Sequence, residues 1–263
     1  MPDGLRPLNA AERSRYSRQI SIPGLGEVGQ ARLRSASALV TRAGGLGGSA
    51  AIGLAMAGIG RLIVAHGSVL IDPDLNRQLL FSETDMGQAR FSAAKRHLEA
   101  LSKFTQVEAL DHEPDAAEAL ALAHRVDIVL SCPPGWTERF RLNRACVEAR
   151  KPLVEAAMRG CEGTLTVVIP GKTPCLACIV PEDPSPPFEE FFPVLGAVSH
   201  ALGAMAATEA IKVLTGLGRP LAGRMLHADL GTMELRTLRV RRRADCLVCG
   251  KLDRALMAAT PVG

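Results

Sequence analysis

The 263-residue chain is 47% hydrophobic but only 3% aromatic, so it can bury a sizeable core made mostly of Ala, Leu, Val and Ile. Its formal charge of +4 favours anionic small molecules only slightly and does not indicate nucleic acid. No uninterrupted apolar run reaches the roughly 18 residues that span a bilayer, and MPDGLRPLNAAERSRY has no secretory apolar core, so a cytoplasmic protein without membrane contact is expected.

Residues 10–35 read as a helical preamble broken at Pro23. SALVT (37–41) is a short apolar run, as a strand buried on both faces should be. Three glycines follow, and residues 46–58 are small and apolar, a helix made for close packing. RLIVAH (61–66) predicts the second strand. A helix at about 88–103, a strand at 106–110, a helix at 115–124, a strand at 126–132, a helix at 136–150 and a strand at 152–158 continue the alternation. This order predicts an α/β fold, a Rossmann-like, doubly wound, mostly parallel sheet. After about residue 160, EGTLTVVIP and GRMLHADL…MELRTLRV predict a C-terminal antiparallel portion. Between them VPEDPSPPFEEFFP (180–193) is too rich in proline for a helix or a central strand and predicts a crossover loop or lid. Residues 194–216 predict a long helix ending at Gly216; Ser199, His200, Thr208, Glu209 and Lys212 interrupt its apolar run, so it belongs in a core and not a membrane. The expected organisation is a helical segment (1–35), a Rossmann-like nucleotide-binding portion (36–160), a C-terminal portion with the crossover loop and a zinc-clamped subdomain (161–250), and a loose tail (251–263).

Gly44, Gly45 and Gly47 follow a strand and open a helix. Glycines there allow a tight turn and let phosphate oxygens approach the free N–H groups of the helix start. The full fingerprint is G-x-G-x-x-G, and Arg42 stands at its first glycine. An NAD-type site also wants an acid at the end of the second strand, where this chain has His66. The other reading is a glycine turn that only packs a helix on a sheet. Asn76, Arg77 and Gln78 form a polar patch; Arg77 can fork onto a phosphate or make a surface ion pair. RVRRR (239–243) has no aromatic platform and reads as a solvated edge, not a nucleic-acid patch.

Seven cysteines include two C-x-x-C pairs, Cys175/Cys178 and Cys246/Cys249. Two such knuckles can bring four thiolates into a tetrahedron around zinc at about 2.3 Å. The 67 residues between the pairs exceed a compact finger, so a structural zinc would clamp two distant segments. Cys132, Cys146 and Cys161 lie in apolar surroundings and read as core residues.

RYSRQI, then AGGLGG, then LNRQLLF, then C-x-x-C…C-x-x-C together resemble the ThiF/MoeB/HesA family, the bacterial relatives of ubiquitin-activating enzymes, over about residues 12–250. The resemblance implies a homodimer or a heterodimer with a family paralogue. It implies adenylation, with ATP and Mg²⁺, of the C-terminal Gly-Gly of a small ubiquitin-like sulfur carrier, whose tail would thread beneath the crossover loop. Under it Arg18 would reach into the neighbouring subunit's site. Arg77, Gln78 and Asn76 would stand near the phosphates, with Gly44, Gly45 and Gly47 beneath the nucleotide. The four knuckle cysteines would hold zinc.

The departures from the family pattern concentrate in the nucleotide site. His66 and Ser68 fall where aspartates belong, Asp74 replaces a phosphate-side asparagine, and Arg90 stands for a lysine. VLSCPPGW puts Pro134 in place of the magnesium-binding aspartate, and proline offers neither a side-chain oxygen nor a backbone N–H. Glu189 lies about where some members carry a sulfur-transfer cysteine. Three readings follow. The chain adenylates with unusual residues, using Arg90 for the lysine and Asp72 or Asp74 for the metal. Or it is a non-catalytic carrier-binding or heterodimer partner of an active paralogue, lending Arg18. Or the cleft takes another nucleotide such as NAD.

Overall fold

The computed structural model describes residues 5–180 and 192–250. Most of the crossover-loop expectation, Glu189 included, and the expected tail lie outside the described residues. Three short helices open the chain: α1 (Ala10–Arg15), α2 (Ser17–Ile20) and α3 (Gly26–Ser35). Asn9 caps α1 by accepting from the Glu12 N–H at 2.9 Å, while the Glu12 carboxylate accepts from the Asn9 N–H at 2.8 Å. The α/β alternation then runs β1 (Ser37–Thr41), α4 (Gly45–Ala57), β2 (Arg61–Ala65), α5 (Arg90–Leu101), β3 (Gln106–Leu110), α6 (Ala116–His124), β4 (Ile128–Ser131), α7 (Trp136–Glu148) and β5 (Leu153–Arg159). β6 (Glu162–Val168), α8 (Leu176–Ile179), α9 (Gly196–Thr215), β7 (Arg224–Asp229) and β8 (Glu234–Arg239) complete it.

Among the described residues the strands form one sheet in the order β3-β2-β1-β4-β5-β6-β7-β8. The first five are parallel and the last three join antiparallel. This matches the expected mostly parallel sheet with an antiparallel C-terminal portion. β1, β2 and β4 are buried almost throughout, which is why they read as continuous apolar runs rather than alternating ones.

One face of the sheet is covered by α4, α5 and α9, the other by α6, α7 and α8 with the knuckle cysteines. α4 and α9 lie against each other so closely that a Cβ at Gly203 would stand 2.4 Å from the Leu46 carbonyl oxygen. A Cβ at Gly53 would meet that of Ala207 at 2.9 Å. The small residues of both helices are therefore the condition for this approach. It sets the start of α9 against the glycine turn. α9 stops where Gly216 takes a φ of 82°, the left-handed conformation of a helix C-cap.

Two readings are corrected. The helix expected from about 88 begins at Arg90, because Ala89 is held extended by a bridge to Val69. Cys132 and Cys146 are buried, but Cys161 is exposed, since it lies in the turn between β5 and β6 and not in the core.

Candidate nucleotide site and cysteine cluster

The sheet order reverses between β1 and β4: from β1 the chain steps to β2 and β3 on one side, then returns to β4 on the other. Ligands of open α/β sheets bind beyond the carboxyl ends of the strands at such a point. The glycine turn lies there. Gly44 precedes α4 without a side-chain cap, so the N–H groups of the first turn remain available to an anion. A Cβ at Gly47 would stand 2.4 Å from the Arg42 carbonyl oxygen, which only glycine permits. Arg42 itself has φ 56°, the left-handed conformation that the fingerprint's first glycine normally supplies. Its side chain pairs with Glu113 at 2.6 Å and Glu138 at 2.9 Å.

Around Gly44 the sequence-predicted residues do come together. A Cβ there would stand 3.4 Å from His66 Cε1 and 3.6 Å from Gln78 Cδ. His66 directly follows β2, is buried, and its buried Nδ1 has no hydrogen-bond partner among the described residues. Burial, followed by the nearby Arg90 and Arg42 charges, pushes its pKa down to about 4. At neutral pH the ring is therefore uncharged and carries one acceptor nitrogen.

Asp74 is the hub of the phosphate-side patch. One oxygen accepts from Gln78 Nε2 at 2.7 Å and from Arg77 Nη2 at 3.3 Å. The other accepts from Arg90 Nη2 and from the Ile71 N–H at 3.1 Å. Arg90 also bonds Ser68 Oγ. Arg77 reaches the Pro73 carbonyl and Asn76 Oδ1 as well. Both carboxylate oxygens are thus taken by this chain's own donors.

Several expected residues stay apart. Arg18, on α2, is exposed, and its side chain has no partner among the described residues. Asn76 is exposed, and its carbonyl packs against Gly196, where a Cβ would stand 2.4 Å away. Pro134 lies in the turn between β4 and α7. Asp74, Glu113 and Glu138 each bond an arginine, so of the two carboxylates offered for the metal only exposed Asp72 stays out of an ion pair among the described residues, which does not match a magnesium ion held as in the resembled family.

Two residues at the start of α9, read from the sequence only as interruptions of an apolar run, reach the glycine turn and its neighbour Arg77. His200 donates from Nε2 to the Arg77 carbonyl at 2.9 Å, and a Cβ at Gly45 would meet Ser199 Oγ at 2.5 Å. A polar Ser-His pair near the start of an apolar helix was the available signal. Glu113 and Glu138 were also missed; nothing local marks them as partners of Arg42.

At the opposite face Cys175, Cys178, Cys246 and Cys249 put their sulfurs within 4.8 Å of one another. Cys175–Cys246 is 3.7 Å and Cys178–Cys249 is 3.4 Å. Four thiolates at 2.3 Å from a tetrahedral ion stand about 3.8 Å apart, so the cluster can hold a metal. Burial and the other sulfurs push the Cys175 thiol up. Against burial, the backbone N–H groups of Cys249 and Val248 help bring Cys246 down to about 7. The Arg243 N–H donates to Cys178 Sγ at 3.5 Å and Arg242 Nε to Cys249 Sγ at 3.4 Å, the outer-shell donors that thiolate ligands use.

Fold and site together define an α/β protein with a Rossmann-type glycine turn at the switch point and a four-cysteine clamp. The chain belongs to the ThiF family, whose sequence profile matches residues 16–248. It is similar to the heterocyst protein HesA of Trichormus variabilis, 46% identical over 243 residues, 92% of this chain and 91% of that protein. The adenylyltransferase and sulfurtransferase MOCS3 of Bos taurus is 39% identical over 250 residues, 93% of this chain but 54% of that longer protein. Among solved structures, that of E. coli MccB with ATP is similar with a TM-score of 0.78 at 23% identity, covering 92% of this chain and 75% of that one. At that identity the likeness is one of fold. No described helix is long and apolar enough to cross a membrane.

Proposed function

We propose that this chain is an adenylyltransferase of the ThiF type that activates the C-terminal glycine of a ubiquitin-like sulfur carrier. In that reaction a carboxylate oxygen of the carrier attacks the α-phosphorus of ATP, the acyl adenylate forms and pyrophosphate leaves. The observation that carries the reading is the convergence of His66, Gln78 and the Arg77 backbone on the glycine turn at Gly44 and Gly45, with Asp74 joining Gln78 to the Arg77 and Arg90 side chains. The N–H groups of α4 would receive phosphate oxygens, and uncharged His66 would lie beside the nucleotide at Gly44. The protein would work in the cytoplasm as a homodimer or heterodimer, with exposed Arg18 reaching the neighbouring site. Zinc in the four-cysteine cluster would be structural, with no open position for chemistry. Exchange of labelled pyrophosphate into ATP in the presence of a Gly-Gly-ended carrier tests the reading. We expect exchange with wild type and at least a hundredfold less with Arg77→Ala; no exchange with any carrier or divalent metal refutes it.

Pro134 favours a second reading. A chain without the metal-binding aspartate can serve as a carrier-binding or dimer partner of an active paralogue, lending Arg18 in trans. Exchange restored only by adding a complete family member, and lost again with Arg18→Ala, would select it.

A further inference from the structure

The first residues of β1, β2 and β3, Ser37, Arg61 and Gln106, stand side by side in register. They lie at the end of the strands opposite the glycine turn and border an open cavity of about 410 Å³. Its lining includes Arg6, Arg34 and Arg61 and, among the described residues, no acid. Each arginine comes from a different element: Arg6 from the segment before α1, Arg34 from the last turn of α3, Arg61 from the start of β2. The acids that pair with them are outside the lining. Glu12 accepts from Arg34 Nε at 2.6 Å, and Glu108 accepts from Arg61 Nη2 at 3.0 Å and from Arg125 Nη2 at 2.8 Å. Asp127 is taken by the N–H and the hydroxyl of Ser37, at 2.8 and 2.7 Å. Four guanidinium groups thus meet three carboxylates, and the surplus charge belongs to Arg6, which has no hydrogen bond or ion pair among the described residues. Its field still reaches the cluster: against burial, the Asn9 N–H and then Arg34 and Arg6 hold the Glu12 carboxyl below its ordinary value.

The cavity is rich in unspent donors. A guanidinium carries five N–H groups. Arg34 uses its Nε on Glu12, and Arg61 uses Nη2 on Glu108 and Nη1, at 3.4 Å, on the Arg125 carbonyl. The Gln106 amide is exposed and has no partner among the described residues. The nearby main-chain carbonyls are engaged, Leu33 by the Gly60 N–H and Ala36 by the Arg61 N–H, both at 3.1 Å. We propose that this cavity is a second anion site, separate from the nucleotide crevice, which takes a small phosphate-bearing molecule through Arg6, Arg34 and Arg61. A tetrahedral phosphate offers oxygens to several guanidinium forks at once, more than a single planar carboxylate can. Through Arg6 such a ligand ties the residues ahead of α1 to the sheet. The strands that run from here to the crevice are five residues long, roughly 17 Å at the usual rise, so one anion cannot serve both places. The proposal does not depend on what the crevice binds.

The probe is inorganic pyrophosphate, titrated calorimetrically into the full chain at low, fixed ionic strength without divalent metal. All titrations use an Arg77→Ala background, which removes a phosphate-side arginine from the crevice. We expect about one equivalent bound per chain, and about a tenfold or greater loss of affinity when Arg6→Gln and Arg61→Gln are added, as befits charge-assisted hydrogen bonds. Glu108 keeps Arg125 in that variant, so no carboxylate is stranded. Thermal unfolding reports whether the variant is folded. If it is not, Gln106→Glu, at an exposed position, sets a carboxylate among the arginines and is expected to weaken pyrophosphate about tenfold. No binding at millimolar pyrophosphate overturns the proposal, and so does an affinity unchanged within about threefold in a folded variant. Citrate bound about tenfold more tightly than pyrophosphate also overturns it, since that marks a carboxylate site. Exchange of pyrophosphate into ATP is measured separately, so the adenylation reading can fail while this site stands, and the reverse.

Discussion

The two motif-bearing regions of this chain have kept different things. In the cysteine cluster the side chains themselves are the site, and all four sulfurs lie within 4.8 Å of one another, close enough to hold a metal. In the crevice the backbone carries the motif and the side chains mostly bond one another: the turn has its shape even though Arg42 must adopt a glycine's conformation. A metal clamp loses its purpose with any one ligand. A strand–turn–helix junction also serves packing, through the start of α9, so the fold needs its shape whatever the crevice binds.

That contrast can be broken most forcefully at the clamp. Cys246→Ser should release about one equivalent of zinc per chain and destabilise the fold by several kcal/mol, on the order of 5 or more, in chemical unfolding with metal analysis. An unchanged midpoint with metal lost would make the cluster dispensable and erase the comparison. Next in size is the buried pair beneath the turn that holds Pro134. Arg139 bonds Glu155 and the Ala156 carbonyl, the latter at 2.9 Å, and burial pushes the Glu155 carboxyl up against the pull of Arg139. Arg139→Ala strands that carboxyl and should cost about 3–5 kcal/mol, whereas Arg139→Leu with Glu155→Leu should cost less. Urea denaturation of the three proteins checks this. A mild single variant would mean that this end of the crevice is not built as scaffold.

The fold was legible because alternation, run length and turn residues agreed: the strand at 106–110 appears with the same bounds, and β6, β7 and β8 lie where the pattern changed. The cysteine cluster was legible because thiolate spacing says which atoms meet. The crevice was legible only in its positions. That Asp74 would gather Gln78, Arg77 and Arg90 depends on a short 3-10 turn at Asp72–Asp74 folding the chain back on itself. The Arg42 bridge needs Glu113 and Glu138, 71 and 96 positions away in the chain, which no local pattern couples. Cys161 was misplaced although the signal was local: Arg159, Gly160, Glu162 and Gly163 flank it as a hairpin turn and not as core.

A smaller effect separates charge from shape within the crevice. His66 has a folded pKa of about 4 against an ordinary value of 6.5, so the unfolded chain binds the proton more readily. Its contribution is complete above pH 6.5 and drains away as the pH falls toward 4. The loss amounts to on the order of 3 kcal/mol for a shift of that size. His66→Gln should therefore flatten unfolding stability between pH 6.5 and 4 by about that amount. Parallel pH profiles for the two proteins would place the ring in a wetter crevice than its burial indicates.

The smallest expected effect tests the shape itself. Gly203 lets α9 touch the backbone of α4, and a methyl there would stand 2.4 Å from the Leu46 carbonyl oxygen and 2.6 Å from Ser49 Cβ. Alanine gains about 1 kcal/mol of helix propensity over glycine, while overpacking costs typically 1–3 kcal/mol. The net for Gly203→Ala is a loss of roughly 1 kcal/mol, read as a lowered thermal midpoint. Because a carbonyl in a helix cannot swing aside like a side chain, relief must come from moving α9 outward. That motion takes Ser199 and His200 away from Gly45 and Arg77. Nucleotide affinity should then fall with stability, although no charged residue has changed. If affinity holds while stability drops, the glycine turn owes its shape to β1 and α4 alone, and the packing argument for its persistence fails.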